Sequence, residues 1–158
     1  MTKLVLNIEG DQHVIVTRRF AAAPADVYRA HVDADLIQRW MLGPEGWTMT
    51  ECVSDARPGG KIKFAWSDGG EGGFSLTGEY HEITPEKRIV HVERMHLPDP
   101  TPDNHVETTF VADGAGTLLT LRMTLPDAAT RAAMLETGME QGMEASYARI
   151  DPLFVGVG

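Results

Sequence analysis

Apolar and polar positions alternate with a period of two along most of this chain, interrupted once near the start and once at the end by a helical period. Leu4, Leu6 and Ile8 share one parity, and Glu9-Gly10-Asp11-Gln12 is a turn-forming run. Val14, Val16 and Phe20 then share one parity, which predicts an N-terminal hairpin whose second arm covers residues 13–20. Pro24 stands where a first helical turn tolerates a residue without an N–H, and Val27, Ala30, His31 and Ala34 suit a short helix. Asp33 is placed to cap a second short helix through Leu36, Ile37 and Trp40, which Gly43-Pro44-Glu45-Gly46 ends.

From residue 47 the period returns to two and predicts strands over 47–54, 61–66, 74–83, 88–95, 106–111 and 117–125. Ile62, Phe64 and Trp66 share one face of the second of these, opposite Lys61, Lys63 and Ala65. Turns fall at Pro58-Gly59-Gly60, at residues 67–73, at Thr84-Pro85-Glu86-Lys87 and at Asp113-Gly114-Ala115-Gly116. Three prolines make 97–104 an irregular loop. Pro126 closes the last strand, and Asp127 is placed to cap a long helix running to about residue 154. Met139, Met143, Ile150 and Phe154 form its apolar stripe. Gly138 and Gly142 lie beside that stripe, each costing about 1 kcal/mol relative to alanine in a helix interior. The expectation is that a strand or a ligand lies close against them.

An antiparallel sheet with one apolar face needs a cover, and the terminal helix is the predicted element long enough to supply it. The prediction is therefore α+β: a curved antiparallel sheet wrapped around a long C-terminal helix, with two short helices after the first strand closing one end. It is one domain over 1–158, with a core of about 13–153 and an extra N-terminal strand in 1–12. Such layers leave a space between them.

Composition narrows the function classes. Fourteen basic against 23 acidic residues give a net charge of −9, which repels phosphates and argues against nucleic-acid binding. The basic pairs Arg18-Arg19 and Lys87-Arg88 read as solvated strand ends. Cys52 is the single cysteine, so no intramolecular disulfide is expected and a reducing compartment fits. No apolar run approaches the ~20 residues of a membrane span, and the N-terminal apolar run is too short for a signal peptide. The expectation is a soluble, cytoplasmic protein.

Several motifs, in this order, resemble the START-like (SRPBCC) helix-grip superfamily, and more narrowly its branch named for the activator of the heat-shock-protein ATPase. They are Thr17-Arg18-Arg19-Phe20, Ala23-Pro24-Ala25-Asp26-Val27-Tyr28-Arg29-Ala30, Leu36-Ile37-Gln38-Arg39-Trp40 and Pro58-Gly59-Gly60. Gly78-Glu79-Tyr80-His81-Glu82-Ile83-Thr84-Pro85, Gly116-Thr117-Leu118-Leu119-Thr120-Leu121 and Gly142-Met143-Glu144-Ala145-Ser146-Tyr147-Ala148-Arg149-Ile150 complete the set. These are turns, caps and packing positions, so they speak for the fold more than for a function. The resemblance implies a cavity for a hydrophobic or amphipathic ligand, used in some branches for lipid transport and in others for aromatic polyketide cyclisation. Many relatives carry tryptophan where this chain has Met143, and aromatic residues where it has His91 and Glu93.

Strand alternation puts Ile89, His91, Glu93 and Met95 on one face, which the resemblance turns inward. A histidine and a carboxylate there would orient a polar ligand group or transfer a proton. Pocket polarity is the reading taken, with no catalytic residue assigned, ahead of a cyclase- or hydrolase-type enzyme using His91 and Glu93. Trp40, Phe64, Trp66, Met139 and Met143 are expected to supply apolar contact and Tyr80, His91 and Glu93 to orient polar atoms. Trp47 and Phe74 belong to the rim or the core. His31, His81, His96 and His105 lack compact metal-ligand spacing, so no metal or other cofactor is expected, and His31 reads as a packed helix residue. Ser54, Ser67, Ser75 and Ser146 lack a nucleophile elbow, Cys52 reads as a small apolar filler, and residues 69–73 join two strands rather than cradling phosphate. The expected partner is a small hydrophobic or aromatic molecule. A chaperone-regulating module ranks last, suggested by the branch's name alone. An exposed edge strand such as the N-terminal hairpin offers a surface through which a homodimer would pair.

Overall fold

The computed structural model describes residues 3–97 and 100–154. The first hairpin consists of β1 (Val5–Glu9) and β2 (His13–Phe20), followed by α1 (Pro24–Val32) and α2 (Ala34–Trp40). A meander of β3 (Thr48–Ser54), β4 (Lys61–Ser67), β5 (Gly73–Thr84), β6 (Arg88–His96), β7 (Asn104–Asp113) and β8 (Gly116–Thr124) comes next. The C-terminal region holds α3 (Ala128–Leu135), α4 (Met139–Tyr147) and α5 (Ile150–Phe154). The strands form one antiparallel sheet in the order β1-β2-β8-β7-β6-β5-β4-β3, so β2 closes onto the last strand of the meander. This is the predicted α+β helix-grip architecture.

Alternation selects the inner face. Val14, Val16 and Phe20 on β2, Ile62, Phe64 and Trp66 on β4, and Leu119, Leu121 and Met123 on β8 are all buried, while their neighbours in sequence are more exposed. Gly78, midway along β5, lets the strands approach where the sheet bends, since a Cβ there would overlap the Val92 carbonyl of β6. A register shift between Tyr80 and Glu82 adds curvature at the same place. The Pro58-Gly59-Gly60 turn docks on it: Gly59 N–H donates to the Tyr80 carbonyl (2.7 Å) and Tyr80 N–H to the Gly60 carbonyl (2.9 Å).

Both predicted caps form. The Asp33 carboxylate accepts from the Asp35 N–H at 2.9 Å, and that of Asp127 from the Thr130 N–H at 2.7 Å. The C-terminal helical region is less simple than its stripe suggested, because turns at 136–138 and 148–149 divide it into α3, α4 and α5. Gly138 adopts φ +83°, the left-handed conformation that glycine enters without strain, and it redirects the chain between α3 and α4. It is therefore a hinge outside the helices, not a small residue on a helix face. Nor does a strand crowd Gly142, since a Cβ there would meet nothing within 4 Å. Met139 and Met143 fall on α4, Ile150 and Phe154 on α5; Ile150 is fully buried and the others are partly so.

Polar contacts hold these helices. Arg131 of α3 donates to the carbonyls of Glu9, Gly10 and His13 around the first hairpin turn. Glu144 of α4 accepts from Arg18 Nε and Nη2 at 3.1 and 3.0 Å and from the Leu4 N–H at 2.8 Å. Asp151 of α5 accepts from the N–H groups of Ala21 and Ala22 at 3.0 Å. The reading of Arg18-Arg19 as a solvated pair is thus half corrected. Arg19 is exposed, but strand alternation turns Arg18 inward, where it is only 6% exposed and ion-paired to Glu144.

Candidate functional site

The inner face of the sheet, the α1–α2 pair and α4 together bound an aromatic and polar interior. Alternation along β6 turns His91 and Glu93 the same way, and His91 Nε2 lies 2.7 Å from Glu93 Oε1. A carboxylate oxygen accepts, so Nε2 carries the proton of this bond and Nδ1 is left over. That Nδ1 is buried and has no hydrogen-bond partner. The His91 ring stands 6.4 Å from that of Tyr80 on the neighbouring strand.

His31, one helical turn after Val27, faces the same interior from α1. Its Nδ1 donates to the Val27 carbonyl at 2.7 Å. The ring packs against Trp40 (4.8 Å between centroids), Phe110 (5.2 Å) and Tyr147 (6.5 Å). Burial pushes its pKa down to about 4; the bond to Val27 works against that shift, and the charge of His91 adds to it. At neutral pH the ring is therefore uncharged, with the proton on Nδ1. Its Nε2 is buried and also lacks a partner.

Tyr147 of α4 completes this group. It stacks on Trp40 at 5.8 Å and 16° and meets Phe20 edge-on at 5.6 Å. Burial raises its phenol pKa above the ordinary value, Arg18 counteracts that, and the charges of Glu93 and Glu144 raise it further. The phenol is accordingly neutral.

The remaining candidates divide into two neighbourhoods. Trp40 joins His31 and Tyr147, and its Nε1 donates to the Ala30 carbonyl at 2.7 Å, tying α2 to α1. Phe64 and Trp66 belong to a second aromatic cluster, in which Trp66 stacks on Phe74 at 4.8 Å and Phe74 meets Trp47 at 5.4 Å. Trp66 Nε1 donates to the Met41 carbonyl at 2.8 Å. Both indole N–H groups are thus bonded within the protein. Tyr80 is engaged as well. Ser54 Oγ lies 2.7 Å from the Val32 carbonyl, to which it donates, so the Tyr80 hydroxyl, 2.7 Å from the same Oγ, donates to it and keeps only acceptor capacity. Met139 and Met143 are partly buried against the core.

Two open depressions, of about 470 and 200 Å³, lie on the outer side of the sheet, and of the eight candidates only Glu93 borders either. Their rims are charged, with Lys61, Glu79, Arg94 and Asp103 around the larger. Among the described residues no three His, Cys, Asp or Glu side chains stand together as a metal site, and no helix is long and apolar enough to cross a membrane. The Cys52 thiol points to the Ala34 carbonyl, and burial, followed by the charge of Asp35, pushes its pKa up to about 11, far from that of a reactive thiolate.

Sequence reasoning missed His31 as a polar group of the interior, gave Tyr147 no place in the site and did not pair Arg18 with Glu144. Tyr147 was within reach, since Met139, Met143 and Tyr147 recur at intervals of four. The signal for Glu144 was weaker, because a carboxylate beside the apolar stripe looks solvent-facing until its partner is known.

A curved antiparallel sheet gripping its C-terminal helices, with a polar and aromatic inner face, defines a helix-grip domain of the START-like class. The chain belongs to the family described as Activator of Hsp90 ATPase homolog 1-like protein, whose model matches residues 21–154. Among solved structures, a protein from Rhodobacter sphaeroides superposes with a TM-score of 0.91 at 24% identity, covering 98% of this chain and 100% of its own. One from Mycobacterium smegmatis gives 0.82 at 20% identity and 93% of each chain. One from Chromobacterium violaceum gives 0.74 at 25% identity, covering 89% of this chain and 98% of its own. No curated protein matches the chain.

Proposed function

We propose that the chain is a binding protein whose interior takes up a small hydrophobic or aromatic molecule. The observation that carries this reading is that side chains of the inward parity stay partly accessible. His91 and Glu93 point into the concave side and still keep 18% and 21% of their side-chain area accessible. Met95, Met139 and Met143 are likewise only partly buried. A close-packed core leaves no such surface, so these groups support an interior space. In this reading Trp40, Phe64, Trp66, Met139 and Met143 contribute apolar contact, and unbranched methionines adapt the space to its occupant. Tyr80 offers an acceptor, and His91 held by Glu93 offers a polar anchor. Native mass spectrometry against a panel of neutral aromatic and aliphatic compounds, with tryptophan-fluorescence titration of the hits, tests it. Saturable one-to-one binding is expected, weakened by Met143→Trp, which fills the space. Absence of saturable binding across the panel refutes the reading.

A second reading, acid–base catalysis, is favoured by the Glu93–His91 bond. A carboxylate that fixes one imidazole nitrogen leaves the other to take a proton from a bound molecule. Hydrolysis of aryl esters above the buffer rate, lost in His91→Gln, is the expected sign. A rate unchanged by that substitution sinks it. The family description names an activator of the Hsp90 ATPase; a role of that kind here would use an outer surface, and stimulation of a chaperone ATPase by the purified chain would test it.

A further inference from the structure

The two unpartnered imidazole nitrogens say something about the chemistry of the occupant. Buried polar atoms are nearly always hydrogen-bonded, and leaving one unpaired costs about 1–3 kcal/mol. Two such atoms here are His31 Nε2 and His91 Nδ1. His31 Nδ1 holds its proton toward Val27, so Nε2 presents a bare lone pair. His91 Nε2 is engaged by Glu93, and its Nδ1 has no partner within the protein. The interior thus offers, at His31 Nε2, an acceptor that wants a donor. It is also hostile to acids, because Glu93 faces inward and the Arg18 guanidinium is already bonded to Glu144 and to the Arg19 carbonyl.

We propose that the ligand of this interior is a neutral hydroxylated aromatic molecule, a phenol or aryl alcohol, whose O–H donates to His31 Nε2. The ring of the ligand lies among Trp40, Phe110 and Tyr147, which already surround His31. His31 Nε2 is closed off from solvent, so entry requires the rings around it to part. This proposal rests on the binding reading above and adds the ligand's chemical class to it.

The test compares 2-naphthol with 2-methoxynaphthalene, which keeps the shape and the oxygen but has no donor. Fluorescence titration at pH 7.5 is expected to show 2-naphthol binding about tenfold more tightly or better. In His31→Phe that preference is expected to vanish while 2-methoxynaphthalene affinity stays within about threefold. If that variant does not fold, the native chain still decides. The ¹⁵N resonance of His31 Nε2 should move upfield on adding 2-naphthol and stay in place with 2-methoxynaphthalene. Equal binding of the two compounds, or a His31 resonance indifferent to 2-naphthol, overturns the hydroxyl assignment and leaves the binding reading standing. Failure of both compounds to bind overturns the assignment, and the broader panel then judges the binding reading separately.

Discussion

Replacing His31 with glutamine should flatten part of the chain's loss of stability in mild acid. The imidazole has an ordinary pKa of 6.5 and a folded value of about 4, chiefly because burial disfavours its charge. As pH falls below 6.5 the unfolded chain takes up a proton that the folded chain refuses until about pH 4. Stability is therefore unaffected by this group above the higher value and is lost progressively as pH falls towards the lower one. Linkage puts the loss at about 1.4 kcal/mol by pH 5.5 and about 3 kcal/mol in full. The carboxyls of Asp127 and Glu144, both held below their ordinary values, add acid sensitivity of their own, but both proteins share it. Urea unfolding of the native chain and of His31→Gln at pH 7.5 and 5.5 isolates the His31 contribution as a difference of differences. The lower pH stays clear of the isoelectric point near 5.0, where the chain would be least soluble. The native chain should lose about 1.4 kcal/mol more than the variant between the two conditions. Equal losses, within ~0.3 kcal/mol, would refute the burial of the unpartnered Nε2.

Two further predictions concern the C-terminal helices. Glu144→Ala leaves the buried Arg18 guanidinium without its carboxylate and the Leu4 N–H without an acceptor, so stability should fall by about 3 kcal/mol in urea unfolding; a loss below ~1 kcal/mol would mean the pair is solvated. The two glycines should respond with opposite signs: Gly138→Ala, forced to φ +83°, should lose about 1 kcal/mol, whereas Gly142→Ala, with nothing within 4 Å of its new Cβ, should gain up to about 1 kcal/mol. Thermal unfolding of both variants checks this, and two shifts of the same sign would contradict the hinge.

How much of this was legible in the sequence depended on the range of the signal. Strands announced themselves because a half-buried strand imposes a period of two within itself, and Asp33 and Asp127 because a cap bonds two or three residues away. The candidate site was legible only where periodicity carries it: His91 and Glu93 share a face because they are two apart on β6. The partners that give the interior its character come from distant segments. Arg18 meets Glu144 across 126 residues, and no local pattern distinguishes an inward arginine that has a carboxylate waiting from one at a strand end. His31 shows the same limit. Its packing was readable from its place on α1, but the missing partner at Nε2 is a property of the assembled interior.

The division of the C-terminal helix follows from its anchors. Arg131 and Glu144 are 13 positions apart, which at about 100° per residue places them roughly 220° apart around one straight helix. A single rod could not turn both toward the first hairpin, yet Arg131 bonds its turn and Glu144 bonds its inward arginine. Glu144 and Asp151, seven positions apart, differ by only about 20° and need no large rotation between them. The sharp reorientation is therefore required between α3 and α4, where Gly138 supplies it. With its own anchor, α4 aims Met143 and Tyr147 at the interior independently of α3. The glycine that a continuous helix could not explain is what lets one face of α4 belong to the site.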